Sequence, residues 1–533
     1  MTWTCPKCTL VQADGQECSI CFNPNPNAIQ VITIDSDQES DGISIISETK
    51  INPKKPDSNT KGTNQLELIK QLLSNSNGKI PLTIQDLLLP DYPATDKPEK
   101  NKRKSNEEDS QVSLTYTDIM INMDDLNYSL TQVEQLLEEN RPKKHTKYME
   151  YASGVIKMTR VPNSTSTLSI SDLIDGPNLK KAVFSSFCLN EDWLLSHVPR
   201  NINKVICTHR PKDFPENKFT LAVSERLLYV FPPMGSYGSM HSKFMLLYFE
   251  DFIRIVIPSA NLIEYDWAVI ENIVYIQDFP KSGKQECEFF TELTEMLVAM
   301  AFPISVVRTL EDYDFRSAIG KLVTSIPGKH YWKEKWNWGH FRLSSIVSSL
   351  KYQNVQDPFV VCQSSSLGNP TTQWLKEFQN SCARGPNAPL YLMYPSRSTV
   401  IHSRNGPNGG GTLFFDKKYW TEKFPRHCLR DVKSKTKGAL MHSKIIIYSA
   451  NKSCQQSIQI VSMDEPVDGY MYLGSHNGTK SAWGYSLKKG DFQISNYELG
   501  IVVGFRWGPG FDIPFEFPPP KYPLYDSPWD QRV

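Results

Sequence analysis

From about residue 148 onward the chain is a succession of short apolar runs. They are V-I-C-T (205–208), E-R-L-L-Y-V-F (225–231), R-I-V-I (254–257), I-V-Y-I (273–276), P-F-V-V-C (358–362) and L-Y-L-M-Y (390–394). Continuous Val, Ile and Leu without polar alternation predicts strands buried on both faces. The stretch 289–300 has helical periodicity, so strands and helices alternate and the region reads as α/β. Residues 27–145 are different: Asn, Ser, Asp, Lys and Pro dominate around small islands such as I-P-L-T-I-Q-D-L-L-L at 80–89. That composition buries too little apolar surface to offset chain entropy, and predicts a disordered linker. Ahead of it, residues 1–26 hold four cysteines in a compact module.

Within the α/β region one polar pattern occurs twice. M-H-S-K opens the apolar run at 240–248 and again the run at 441–449. A single repeated tetrapeptide is expected about once by chance in a chain this long, so its context must decide. After the first copy Asn261 stands six residues before Trp267, and after the second Asn477 stands six before Trp483. Each copy is therefore His-x-Lys, apolar runs, Ser-x-Asn and Trp. The expected architecture is two similar α/β halves, 146–350 and 351–533, related by a pseudo-twofold axis that brings both sets to one cleft.

Composition narrows the function classes. The 533 residues carry no net charge, so any basic groove is local. A 39% hydrophobic share suits a soluble protein with a large core. No run of about eighteen apolar residues occurs, so no membrane association is expected. The opening M-T-W-T-C-P-K-C lacks the apolar stretch of a signal peptide. Cysteines set singly in apolar segments, such as Cys188 and Cys207, read as reduced and buried, which points to nucleus or cytoplasm.

In a strand, residues i and i+2 share a face, so His241 and Lys243 are expected to point together, as are His442 and Lys444. Two imidazoles, two ammonium groups and the carboxamides of Asn261 and Asn477 make no metal-ligand set but suit a phosphodiester. Lysines and amides stabilise the non-bridging oxygens. A neutral imidazole, with a pKa of about 6.5, can attack phosphorus. A second imidazole, held protonated, can protonate the leaving oxygen and then activate water.

This pattern resembles the phospholipase D superfamily, whose signature is H-x-K-x4-D in two copies. Here Tyr248 and Ser449 stand in place of the aspartates, and with S-x-N-x5-W the chain resembles the tyrosyl-DNA phosphodiesterase branch. The same resemblance rests on S-A-N-L-I-x-x-D-W (259–267), K-S-A-W-G (480–484), S-N-Y-E-L-G (495–500), Q-S-S-S-L-G (363–368), Y-P-S (394–396) and E-D-W-L-L (191–195). Together these span roughly 150–520. The resemblance implies that His241 is the nucleophile, forming a phosphohistidine with a DNA 3′ end. It implies that His442 protonates the departing tyrosine of stalled topoisomerase I and later activates water. Glu498 matches a carboxylate that orients a catalytic histidine. Asn272 falls where relatives carry Gln. Tyr237 matches an aromatic that stacks on a base, and Ser364 and Ser365 match hydroxyls near the DNA backbone. A phenol with a pKa of about 10 leaves more readily than a sugar hydroxyl, which suits an enzyme with no catalytic metal. The alternatives are another nuclease or a phospholipase of the superfamily, or a ubiquitin- and SUMO-reading scaffold with an inactive catalytic region. A monomer is expected.

Cys5-x2-Cys8-x9-Cys18-x2-Cys21 is a four-cysteine zinc spacing. With Trp3 ahead of it, the module resembles Trp-anchored fingers of nuclear-pore and ubiquitin-reading proteins. Binding of ubiquitin, through Thr9 and Leu10, and of nucleic acid both remain open. V-I-T-I-D-S-D-Q-E-S-D at 31–41 resembles a SUMO-interacting motif, a β-branched run followed by acids. K-P-E-K-N-K-R-K at 97–104 fits a nuclear-import signal.

Overall fold

The computed structural model describes residues 149–531, apart from 175–177, 236, 332, 384–387, 452–454 and 489, and four short strands ahead of them. Of those four, Thr2–Thr4 pairs with Val11–Ala13, on either side of Cys5 and Cys8, and Ile80–Leu82 pairs with Ile119–Ile121. The four cysteines, the 31–41 stretch and the 97–104 run lie outside the described residues.

Eight strands make the first sheet: β1 (Val155–Met158), β2 (Lys181–Ser185), β3 (Asn203–Cys207), β4 (Thr220–Ser224), β5 (Leu227–Val230), β6 (Phe244–Tyr248), β7 (Phe252–Pro258) and β8 (Ile273–Pro280). Their order is β1-β8-β7-β6-β2-β3-β5-β4. The second sheet holds β9 (Gly320–Ser325), β10 (Phe359–Gln363), β11 (Leu390–Met393), β12 (Leu429–Arg430), β13 (Ile445–Ser449), β14 (Ser457–Val461), β15 (Gly469–Gly474), β16 (Glu498–Trp507) and β17 (Phe511–Asp512). It runs β12-β11-β10-β13-β15-β16-β14-β17, with β9 also on β16.

The two orders share a central segment strand for strand. β6, which follows the first His-x-Lys, lies between β2 and β7; β13, which follows the second, lies between β10 and β15. β2–β3–β5 and β10–β11–β12 are parallel, and the remaining pairs of the segment are antiparallel.

The apolar runs are continuous because both faces are covered. Phe244, Leu246 and Tyr248 enter a core shared with Ile445 and Ile447 of the other sheet. Met245 and Leu247 enter an outer core of the first half, Ile446 and Tyr448 one of the second. Burying each such side chain contributes roughly 1.5–3 kcal/mol. Arg254 interrupts the apolar run of β7 and is fully buried; its Nε and Nη2 donate to both oxygens of Asp278, its cross-strand neighbour, at 2.7 and 2.9 Å.

Two expectations change. The second half starts before residue 351, because β9 pairs with β16 and helix Gly339–Ser349 buries Leu343, Ile346 and Val347 in the second outer core. The His-x-Lys residues precede their strands rather than lying in them. The cause is tertiary: Met240 bridges to Tyr497 and Met441 to Glu271, so each chain leaves the opposite half before entering its own sheet.

Among the described residues Cys207, Cys287, Cys362, Cys382 and Cys428 are free thiols, and Cys188 and Cys207 are buried as expected. No described helix is long and apolar enough to cross a membrane.

Candidate active site

Each histidine is anchored through its backbone to the other half. His241 N–H donates to the Tyr497 carbonyl at 3.0 Å, and His442 N–H to the Glu271 carbonyl at 2.8 Å. Both imidazoles then line a single cleft of ≈ 280 Å³ with Asn261 and Asn477. The two His-x-Lys sets, 201 residues apart in number, thus meet across the interface between the halves.

Their Nδ1 atoms face carboxylates from the opposite half. His241 Nδ1 lies 2.7 Å from Glu498 Oε2, and this carboxylate also accepts from Ser475 Oγ and Asn496 Nδ2. His442 Nδ1 lies 3.2 Å from Asp266 Oδ2, an ion-pair separation without hydrogen-bond alignment. Asp266 belongs to the short helix Glu264–Ala268 and is fully buried. Its Oδ2 also accepts from Asn261 N at 2.6 Å and Asn261 Nδ2 at 2.9 Å.

Lys243 and Lys444 are fully buried, and each ammonium donates to the backbone carbonyl of the histidine two residues before it. The pair therefore curls back on itself, which fixes each lysine relative to its imidazole. Asn477 Oδ1 is held from behind by four donors, Ser364 Oγ, Ser365 N, Ser365 Oγ and Ser366 N, at 3.0–3.1 Å. Its amide nitrogen is left to the cleft. Asn261 Oδ1 accepts from Cys188 N at 3.2 Å.

Burial sets the protonation states. It pulls the imidazoles of His241 and His442 down to about 4, with Glu498 and Asp266 opposing that shift and the lysines adding to it. Burial lowers Lys243 to about 8 and carries Lys444 well below its ordinary range, Lys243 contributing to the latter. Burial would raise Glu498, yet His241, His476 and Lys243 outweigh it and hold the carboxylate at about 2. Both acids are therefore ionised at neutrality while both imidazoles are neutral. His241 Nδ1–H then donates to Glu498, leaving the Nε2 lone pair as the ring's nucleophilic atom. Desolvation exceeds the attraction of one carboxylate, so each imidazole favours its neutral form.

The other expected residues fall in different layers. Tyr237 stands at the cleft mouth, 95% exposed. Ser365 lines the cleft, whereas Ser364 lies behind it, holding Asn477 and accepting from Gly478 N at 2.8 Å. Asn272 reaches neither histidine: its Nδ2 donates to the Asp266 carbonyl at 2.9 Å and its Oδ1 accepts from Ser259 Oγ at 2.8 Å. Asp266 was not singled out from the sequence, although it sits inside S-A-N-L-I-x-x-D-W. The available signal was an acid five residues after Asn261, close enough for a helical turn to fold it back onto that asparagine. Among the described residues no group of three or more His, Cys, Asp or Glu is placed to hold a metal ion.

A model of the tyrosyl-DNA phosphodiesterase family matches residues 154–522, more than half of the chain and all of this cleft. The chain belongs to the tyrosyl-DNA phosphodiesterase family. Tyrosyl-DNA phosphodiesterase 1 of Arabidopsis thaliana is 27% identical over 380 residues, covering 64% of this chain and 59% of that protein. The Drosophila melanogaster enzyme of the same name is 26% identical over 425 residues, covering 68% and 70%. The fold matches the crystal structure of the yeast tyrosyl-DNA phosphodiesterase with a TM-score of 0.54 and 16% identity, over 71% of this chain and 99% of that one. In this member of the family the paired His-x-Lys and Asn sets, and both carboxylates, belong to the matched region.

Proposed function

We propose that this chain hydrolyses the phosphodiester joining a tyrosine to a DNA 3′ end, the link left by stalled topoisomerase I. The observation that carries the reading is the meeting of two imidazoles, each faced by a carboxylate of the opposite half, in one cleft. In the first step His241 Nε2 attacks phosphorus, the P–O bond to the tyrosine breaks, and His442 delivers its Nε2 proton to the phenolate. In the second, His442 takes a proton from water, the oxygen attacks phosphorus, and the P–N bond breaks to leave a 3′-phosphate. Lys243, Lys444 and the amides of Asn261 and Asn477 face the charge that builds on the non-bridging oxygens. The proton on His442 is accounted for by the substrate: a phosphodiester anion entering beside Lys243 and Lys444 offsets the charges that depress this imidazole.

Glu498 and Asp266 orient the two rings, Asn272 braces the turn that carries Asp266, and Tyr237 offers a stacking face at the mouth, typically worth about 1–3 kcal/mol per base. The test is a 3′-phosphotyrosyl oligonucleotide incubated with the full chain in EDTA. Release of tyrosine and a 3′-phosphate is expected; no turnover would overturn the reading.

For the amino-terminal part the spacing of Cys5, Cys8, Cys18 and Cys21 supports a structural zinc site that reads ubiquitin or nucleic acid. The 31–41 stretch supports SUMO binding, and 97–104 supports a nuclear location for a monomeric enzyme. Zinc content of the full chain, lost in Cys5→Ser/Cys8→Ser while turnover of a short substrate persists, tests the first of these.

A further inference from the structure

His476 is a third buried imidazole that the chemistry above leaves without a role. Its ring packs on that of Trp483, centroids 4.3 Å apart, and both of its nitrogens are engaged. Ser325 Oγ has one hydrogen, which it donates to the Ala482 carbonyl at 2.6 Å. Its contact of 2.9 Å with His476 Nε2 therefore needs a hydrogen on Nε2. Nδ1 then carries none and accepts from the Tyr472 hydroxyl. The donors run one way, from Tyr472 through His476 and Ser325 to Ala482, and bonds in such a series strengthen one another. Only the neutral ring completes the series.

This series ties together the segments that carry catalytic groups. Tyr472 lies in β15, Ser325 ends β9 as the cross-strand partner of Glu498, and Ala482 belongs to the short helix Lys480–Trp483. The residue before His476 is Ser475, whose hydroxyl donates to Glu498 Oε2. The residue after it is Asn477, whose amide faces the cleft. His476 N–H also donates to the Tyr472 hydroxyl, at 3.3 Å, so main chain and side chain hang on one tyrosine. Two glycines make room for that tyrosine. A Cβ on Gly500 would overlap the Tyr472 ring, and one on Gly474 would lie 2.6 Å from its hydroxyl oxygen.

The first half shows that a Ser-x-Asn turn does not itself demand the imidazole. Its copy is Ser259-Ala260-Asn261, with a buried alanine where the second half has His476. The half that gains the imidazole is the one whose strand β16 begins with the carboxylate behind the nucleophile. There Asn272, which reaches no histidine, is replaced by Glu498, which must meet His241 at 2.7 Å.

We propose that His476 is a positioning residue for the hydrolysis, a neutral strut that keeps Ser475 and Glu498 aligned on His241 and the Asn477 amide aimed into the cleft. The inference rests on the activity proposed above and deepens it. His476 touches neither substrate nor reacting atoms; it acts through the two residues that flank it.

The experiment compares wild type, His476→Phe, His476→Gln and Ser325→Ala on a 3′-phosphotyrosyl oligonucleotide, with thermal melts alongside. Phenylalanine keeps the contact with Trp483 and loses both side-chain hydrogen bonds; glutamine keeps a donor and an acceptor. For His476→Phe a kcat decrease of roughly 10- to 100-fold is expected, since a misplacement of about 1 Å can cost about 100-fold. KM should stay near that of wild type. His476→Gln should recover part of the loss, and Ser325→Ala should fall between wild type and His476→Phe. In His476→Phe the limb of the kcat/KM–pH profile that reports His241 should move to lower pH. The reason is that a displaced Glu498 no longer opposes the burial, Lys243 and Lys444 that depress this imidazole. A folded His476→Phe with wild-type kcat, a glutamine variant no better than phenylalanine, or an unmoved pH limb would each overturn the role. Should His476→Phe fail to fold, Ser325→Ala, which removes one hydroxyl, decides through the same kcat and pH readouts. A wild type that releases no tyrosine overturns the proposed activity and this role with it; an active wild type with unaffected variants overturns the role alone.

Discussion

Glu498 and Asn272 occupy the same place in the two halves. Each directly follows the carbonyl that anchors the opposite histidine, that of Tyr497 or Glu271. Each accepts from the serine of a Ser-x-Asn, Ser475 or Ser259, and the next amide, Leu499 N or Ile273 N, donates back to that hydroxyl at 3.0 Å. The symmetry ends at the side-chain tip. Glutamate is long enough to reach His241, whereas asparagine, one methylene shorter, turns to the Asp266 backbone. His442 is faced instead by the Asp266 carboxylate.

Asp266→Asn therefore isolates the carboxylate's contribution to His442. The amide oxygen can still accept from Asn261, so the turn is retained. A kcat decrease of roughly 10- to 100-fold is expected, within or below the range for general acid–base groups. Because Asp266 raises the His442 pKa, its neutralisation should move the limb of the kcat–pH profile that reports His442 to lower pH. A profile that keeps its shape would remove Asp266 from the acid–base step.

His442→Ala should impair resolution of the covalent intermediate more than its formation. On denaturing gels the protein should accumulate an adduct with the DNA strand, whereas His241→Ala should form none. An adduct in His241→Ala would reverse the assignment of nucleophile.

Arg254→Ala leaves the Asp278 carboxylate buried without its bidentate partner, away from the cleft. Loss of one partner of a buried pair typically costs about 3–5 kcal/mol. The urea midpoint should fall accordingly, and the double variant Arg254→Met/Asp278→Leu should recover much of the loss because no unpaired charge remains.

Stability should fall as the medium is acidified from about pH 6.5 to 4. His241 and His442, both held at about 4, and His476, buried and held at about 3, are neutral in the folded chain but take up protons when unfolded, near 6.5. The unfolded state then binds more protons, so stability rises with pH across this window. His330 and His340, also lowered by burial, add to this, whereas Glu292, raised to about 8 by burial, and Glu271 and Asp431, raised by burial as well, act in the opposite direction. Thermal melts at pH 5 and pH 7 check the sign, and replacing His476 with Gln should reduce the difference.

The sequence alone determined the chemistry-bearing letters and their duplication. His-x-Lys, Ser-x-Asn and the apolar runs after them are local, and local patterns are written in consecutive residues. The both-face burial of β6 and β13 was legible for the same reason: four unbroken apolar residues have no polar side to give to water. The identity of the carboxylate facing each imidazole was decided only by tertiary structure. Glu498 lies 257 positions from His241, and Asp266 reaches His442 across the interface between the halves. The protonation states followed the same rule, since desolvation depends on what surrounds a side chain and not on its neighbours in sequence. Even the expected strand geometry of His-x-Lys gave way to a bridge across the halves, because backbone groups at a buried interface must find partners wherever the fold supplies them.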